Sequence, residues 1–167
     1  RQPTMKAKEL NGSAYYMDVS DSENVIEIFK KVKLEYKKLD ILVNNAGING
    51  FEDREDLLTD RIKVNNLQSK EFGETGKIKS HFDVTVNMSD EEWHKMISIH
   101  LNGTFFCTRE ALKIMNNQKQ ASIINMGSVL GTTGGPSSPH YSAAKSAILG
   151  FTRATARELA SRKIRVN

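Results

Sequence analysis

The sequence predicts an α/β fold: a parallel sheet with helices packed on its faces. Three observations carry that prediction. Short β-branched and aromatic runs alternate with longer segments whose apolar residues recur at helical spacing. The runs lie far enough apart for a helix to cross between them, which parallel strands require. Two of the runs end in small polar residues, Asn44-Asn45-Ala46-Gly47 and Gly127-Ser128, and open α/β sheets bind ligands at the carboxyl ends of their strands.

The elements follow in chain order. Thr4 to Leu10 reads as the end of a helix closed by Asn11-Gly12. Ala14 to Val19 is a short run expected to form a buried strand. A helix follows, with Val25, Ile28, Phe29, Val32 and Tyr36 on one stripe. Leu39 to Val43 predicts a second strand. From about Asn49 to Asn87 the rhythm breaks into a polar, charged stretch, and a polar insert is expected at about 50–82. Arg54 to Val64 has some helical character, and the rest is expected to be a mobile flap or a disordered segment near the mouth of any site. Ser89-Asp90-Glu91-Glu92 is a capping box that restarts order in a helix carrying Trp93, Met96, Ile97 and Leu101. A helical pattern continues to about Met115. Ser122 to Met126 predicts a third strand, Pro139 to about Ala160 a long helix, and Arg165-Val166-Asn167 the start of a further strand. Residues 1–167 read as a single domain with no internal repeat.

Composition narrows the function classes. Lys plus Arg total 24 against 20 for Asp plus Glu, and the basic residues form no run, so nucleic acid is not an expected partner. The single Cys107 excludes an internal disulfide framework and a cysteine metal cluster, and falls among apolar neighbours as a packed core residue. No metal site is expected. No apolar run is long enough to span a bilayer and no secretory signal is visible, so the expected setting is the cytoplasm, with organelle import as the alternative.

The chemistry concentrates between Ser128 and Lys145. Tyr141 and Lys145 are four residues apart, which places them on one helix face about a turn from each other. Ser138-Pro139 has the form of a helix start, with Ser as N-cap and Pro at the first helical position. A free phenol, with a pKa of about 10, is a poor base at neutral pH. An ammonium roughly 5 Å away at an effective dielectric of about 20 favours the phenolate by about 3 kcal/mol. Such a Tyr can exchange a proton with an alcohol or carbonyl oxygen, and Ser128 can hydrogen-bond that same oxygen. Ser142, Ala143, Ala144, Ser146, Ala147 and Gly150 leave room for something bulky beside the helix. The bland alternative is a chance Tyr–Lys pair on an ordinary amphipathic helix.

Ser128, then Tyr141-x-x-x-Lys145, with Asn44-Asn45-Ala46-Gly47 upstream, resembles the short-chain dehydrogenase/reductase family, most of all its single-domain 3-oxoacyl-acyl-carrier-protein reductases. The resemblance implies a Rossmann-type doubly wound parallel sheet with helices on both faces. It implies an NAD(P)-dependent oxidoreductase that interconverts a carbonyl and a secondary alcohol by hydride transfer. Ser128 and Tyr141 would bind substrate, Tyr141 acting as general acid/base. Lys145 would bind the nicotinamide ribose and lower the Tyr pKa. Asp18 and Val19 match the adenine-contacting position, and Asn45, Ala46 and Gly47 the loop beside the cofactor ribose; Tyr141 and Lys145 also belong to the cofactor set. NADPH is favoured over NADH, Arg1 being a candidate for a 2′-phosphate contact. Lys119 and Arg162 match positions where such reductases meet an acidic carrier, and a solvated surface charge is the alternative for each. A homodimer or homotetramer is implied, joined through the helices at about Trp93–Met115 and Pro139–Ala160. Their apolar residues Phe105, Phe106, Leu112 and Met115, and Ile148, Leu149, Phe151 and Leu159, exceed what one face needs.

The sequence departs from the family pattern in two places. Where the family carries an Asn on the preceding helix, this chain has His100, within Ile99-His100-Leu101-Asn102-Gly103. The family position helps hold a water in a proton relay to the Lys. His100 either serves that relay or is a partly buried His without special role. The Gly-rich turn that cradles a pyrophosphate should lie before Asp18, and no residue here supplies it. The chain therefore reads as lacking the first strand–helix–strand unit of the fold. A second function class follows from that lack: a non-catalytic remnant serving as a binding or oligomerisation module. Polyol, steroid and xenobiotic carbonyl reductases share the same catalytic residues and remain alternatives, and a sugar-nucleotide epimerase or dehydratase is disfavoured by the Asn44–Gly47 turn.

Overall fold

The computed structural model describes residues 7, 9–52, 54–116, 118 and 120–167. Three parallel strands form the sheet: β1 (Ile41–Asn44), β2 (Ala121–Asn125) and β3 (Ile164–Val166), in the order β1-β2-β3. The register pairs Ile41 with Ser122 through Asn44 with Asn125, and Ala121 with Ile164 through Ile123 with Val166.

Helix α1 (Ser22–Tyr36) starts where Asp21 accepts from the amides of Glu23 and Asn24, and ends at Lys37 in the left-handed region. Its Val25, Ile28 and Phe29 are buried. The 50–82 insert contains α2 (Glu55–Thr75), and a short turn α3 (Val84–Asn87) follows. The capping box closes fully at the start of α4 (Asp90–Ile97): the Ser89 hydroxyl accepts from the Glu92 amide and the Glu92 carboxylate accepts from the Ser89 amide. A five-residue π-helical segment (Ser98–Asn102) then joins α4 to α5 (Gly103–Met115). The one-turn α6 (Leu130–Thr133) follows β2, and α7 (Pro139–Leu159) runs through a 3₁₀ turn into β3. The core gathers Val25 and Phe29 of α1, Ala111 and Met115 of α5, Ile123 of β2 and Leu159 of α7. Cys107 belongs to it, and burial pushes its thiol pKa up to about 11, which leaves it unreactive at neutral pH.

Three expectations change. Ala14 to Val19 is not a strand: no strand among the described residues pairs with it. An extended run becomes a strand only when a neighbour takes its amides and carbonyls. Here Met17 and Val19 instead pack directly on the core. The insert is not a structureless flap. Its helix runs well past Val64, and the return segment is pinned back onto it. The Glu71 carboxylate accepts from the amides of Lys79 (2.8 Å) and Ser80 (3.0 Å), and Gln68 donates to the Ser80 carbonyl at 2.8 Å. The surplus apolar residues of the two long helices also divide. Met115, Ile148 and Leu159 are core residues, whereas Phe105 stays 43% exposed. In β1, Ile41 and Val43 share one face and are 58% and 51% exposed, so that face of the strand is uncovered among the described residues. The turn at Leu10–Asn11 matches expectation, with the Gly12 amide donating to the Ala7 carbonyl at 2.8 Å; Thr4 to Lys6 and Lys8 lie outside the described residues.

Candidate active site

The carboxyl ends of β1 and β2 are tied together before any candidate group is reached. Asn44 and Asn125, a cross-strand pair, share a buried amide network. Asn44 Nδ2 donates to Asn125 Oδ1 at 2.8 Å and to Thr108 Oγ1 at 3.0 Å, and Asn125 Nδ2 donates to Thr152 Oγ1 at 2.9 Å. Two strands, α5 and α7 are thereby fixed to one another, because a buried amide left unpaired costs about 1–3 kcal/mol. Sequence reasoning named Asn44 only within the Asn44–Gly47 turn and passed over Thr108, Asn125 and Thr152. The available signal was an Asn at the last position of two successive strand-like runs.

Lys145 is the hinge of the site. It is buried, burial holds its pKa below the usual lysine range, and its Nζ donates to the Met126 carbonyl at 2.6 Å. Met126 stands two residues before Ser128. On the other side of Ser128, Gly131 packs directly on the helix backbone: a Cβ there would sit 2.8 Å from the Lys145 carbonyl carbon. The Ser128 turn is thus held against α7 at both ends, and Ser128 Oγ accepts from the Leu130 amide at 3.2 Å. The room expected beside the small residues of α7 is taken, at Lys145 and Ser146, by the chain's own α6.

Tyr141 is half-buried in the first turn of α7, with Lys145 Nζ 5.7 Å from its ring centroid. His100 meets the same ring edge-on at 5.4 Å. The π-helical segment that carries His100 is a wider turn than an α-helix offers, a feature common at functional sites. His100 is only 2% exposed and lies against Gly47, where a Cβ would be 2.5 Å from its Cε1. Its Nε2 stands 2.8 Å from the Ile48 carbonyl and 3.1 Å from the Ile48 amide. In one tautomer it donates to the carbonyl; in the other it accepts from the amide. Either way Nδ1 is buried without a partner.

That orphaned atom has company. The buried side-chain polar atoms without partners among the described residues are His100 Nδ1, His140 Nδ1 and Ser142 Oγ. Of the three, His100 lies against the Tyr141 ring, whereas the His140 ring faces Gly50 and the Ser142 hydroxyl faces Gly135. Buried polar groups are normally satisfied, so His100 Nδ1 is the atom beside Tyr141 suited to meet a ligand or water.

The other expected residues fall nearby. Val19, Asn45 and Ala46 line a cavity of about 120 Å³ with Met17, Leu42 and Gly103. Asp18 is outside that lining, and its Oδ1 accepts from the Ser20 amide (2.9 Å) and hydroxyl (2.7 Å), which hold the carboxyl below its ordinary range. Those bonds close a turn from Asp18 to Ser20. Ser138 occupies the N-cap position of α7, but its side chain makes no capping bond. Arg162 donates to Asn116 Oδ1 at 2.8 Å on the surface. Arg1 and Lys119 lie outside the described residues. A concavity of about 450 Å³ along β3, lined by Ala156, Ala160 and Lys163 to Asn167, holds none of the candidate residues. No group of three or more metal-ligating side chains occurs among the described residues, nor any helix long and apolar enough to cross a membrane.

The two buried histidines set a pH dependence of stability. Burial, reinforced for His100 by Lys145 and for His140 by Arg61, holds both pKa values below the ordinary 6.5, against weaker opposing contributions from the Ile48 hydrogen bond and Glu52 for His100 and from Glu92 for His140. In the unfolded chain each protonates as pH falls through about 6.5, while the folded chain resists. Their contribution is therefore complete above that pH and declines below it, by at most about 1.4 kcal/mol per pH unit for each group. Thermal unfolding between about pH 7.5 and 5.5 checks this. His100→Asn and His140→Asn should each flatten the decline, and an unchanged slope in both would refute the assignment.

The fold and site define a class. The short chain dehydrogenase family model matches residues 3–68 and 75–167, and the chain belongs to that family. Among curated proteins it is similar to 3-oxoacyl-acyl-carrier-protein reductase FabG of Staphylococcus aureus, 34% identical over 163 residues, covering 98% of this chain and 54% of that protein. The FabG of Escherichia coli is 32% identical over 157 residues, covering 94% of this chain and 52% of the relative. Among solved structures, ElxO with NADP bound superimposes with a TM-score of 0.73 at 30% identity, over 98% of this chain and 54% of ElxO. The chain spans about half the length of the curated relatives it matches.

Proposed function

We propose that the complete protein is an NAD(P)-dependent oxidoreductase that interconverts a carbonyl and a secondary alcohol, with 3-oxoacyl groups on an acyl carrier as the favoured substrate class. The observation that carries this reading is the grouping at Tyr141: Lys145 Nζ stands 5.7 Å from its ring centroid, and His100, with Nδ1 buried and unpartnered, meets the same ring edge-on. The family and the FabG relatives supply the reaction class, and the NADP-bound neighbour favours NADP over NAD.

The residues present suit a dinucleotide in part. Val19, Asn45 and Ala46 bound a cavity at the carboxyl end of β1, where α/β sheets take nucleotides, and it is large enough for a fragment of one. When bound, a reduced nicotinamide supplies the hydride that the carbonyl carbon accepts. Tyr141 gives its phenolic proton to the carbonyl oxygen, and Ser128 orients that oxygen. Lys145 is desolvated, so its positive charge acts strongly on the developing phenolate. His100, neutral at physiological pH, offers Nδ1, in the tautomer whose Nε2 donates to the Ile48 carbonyl, as the acceptor that would hold a water on the path by which solvent returns a proton to Lys145 and Tyr141. Reduction of a 3-oxoacyl thioester by the complete protein with NADPH checks the reading; absence of both turnover and NADPH binding would overturn it and favour the non-catalytic remnant.

The partner in assembly is a second copy of the chain. Phe105 is exposed, lies 6.4 Å from Phe151 edge-on, and has Arg109 over it at 5.4 Å, so α5 and α7 present one aromatic patch. Light scattering on the complete protein should give a dimer or tetramer at micromolar concentration, and a monomer would refute this.

A further inference from the structure

No residue of α2 is buried, yet Arg61 in its second turn reaches into the body of the protein. Its guanidinium stands 4.7 Å over the Phe51 ring and donates through Nη1 to the Ser137 carbonyl, 76 residues away. The charge is partly desolvated there, with Glu92 offsetting the cost, and it lies close enough to disfavour protonation of His140.

The loop it grips is poorly fixed by its own bonds. Gly134 holds φ at 76°, a left-handed value suited to glycine. The Ser138 amide donates to the Gly135 carbonyl at 3.1 Å, and the Ser138 side chain leaves the start of α7 uncapped. Among the described residues, no other side chain from a distant part of the sequence hydrogen-bonds to residues 134–138. The path to the chemistry is short. Ser137 and Ser138 share a peptide unit, the Ser138 carbonyl accepts from the Ser142 amide at 2.9 Å, and Tyr141 lies in that turn.

We infer that Arg61 is a positioning residue: it latches the inserted helix onto the 134–138 loop and thereby fixes the first turn of α7 and the Tyr141 hydroxyl. The inserted helix is then a strap across the entrance to α7 rather than a free appendage. The consequence for turnover rests on the proposed oxidoreductase reading; the latch itself does not.

Hydrogen exchange of the complete protein separates the two. Arg61→Met keeps the aliphatic stem over Phe51 and removes the donors, whereas Arg61→Lys keeps one. In Arg61→Met, exchange of the peptide covering 134–142 should rise about tenfold, the worth of one charge-assisted bond, with the peptide covering 103–115 unchanged as the control for folding. kcat for carbonyl reduction should fall by about the same factor at unchanged NADPH affinity, and Arg61→Lys should restore part of both. Unaltered exchange at 134–142 in Arg61→Met would overturn the latch, and raised exchange with unaltered kcat would overturn the positioning role. If Tyr141→Phe retained turnover, the catalytic reading would fall while the exchange result still measured the latch.

Discussion

Tyr141→Phe in the complete protein is expected to lower carbonyl reduction by about 10²- to 10⁴-fold, the usual worth of a positioned acid or base. The substitution removes one oxygen and leaves the ring, so the edge-on contact with His100 and the approach of Lys145 both survive. Affinity for NADPH should stay within about a factor of two, because the cavity lined by Val19, Asn45 and Ala46 is untouched. The contrast between lost turnover and kept binding distinguishes a missing proton donor from a damaged fold. Steady-state kinetics beside a fluorescence titration provides both numbers. Turnover within a few-fold of wild type would remove Tyr141 from the mechanism and leave the unpartnered His100 Nδ1 without an explanation.

Gly131→Val should be the most damaging change outside the reacting groups. A Cβ at this position would lie 2.8 Å from the Lys145 carbonyl carbon, 2.9 Å from the Ser146 nitrogen and 3.0 Å from the Lys145 oxygen. All three are backbone atoms of α7, which cannot step aside as a side-chain tip does. Relief requires α6 to lift from α7, pulling the Ser128 turn away from Lys145. A loss of about 2–3 kcal/mol is expected, with turnover falling further than stability. Urea unfolding and kcat measured on the same preparation check this. An unshifted midpoint would show that α6 has slack the packing does not reveal.

Particular residues show how far the sequence could be read. The capping box at Ser89–Glu92 depends on neighbours a few residues apart, so its chemistry was visible in order along the chain. The Tyr141–Lys145 pair was visible for the same reason, since helical geometry fixes a four-residue spacing. Ala14 to Val19 was misread because strand character needs a partner, and no local pattern states whether one is present. The inserted helix was underestimated because it buries none of its residues and so carries no strong apolar stripe.

By itself, then, the sequence determined the alternation of helices with parallel strands and the four-residue spacing that sets Tyr141 and Lys145 on one helix face, because both follow from short-range periodicity. The tertiary structure alone decided what surrounds them. The Asn44–Asn125 bond spans 81 residues, His100 meets Ile48 across 52, and Arg61 meets Ser137 across 76. Contacts at such separations arise from how the layers pack and leave no periodic mark in the chain. How deeply His100 is buried, and that its Nδ1 is left unpartnered, depend on the π-helical turn and on the missing side chain of Gly47, which together set its ring against Tyr141.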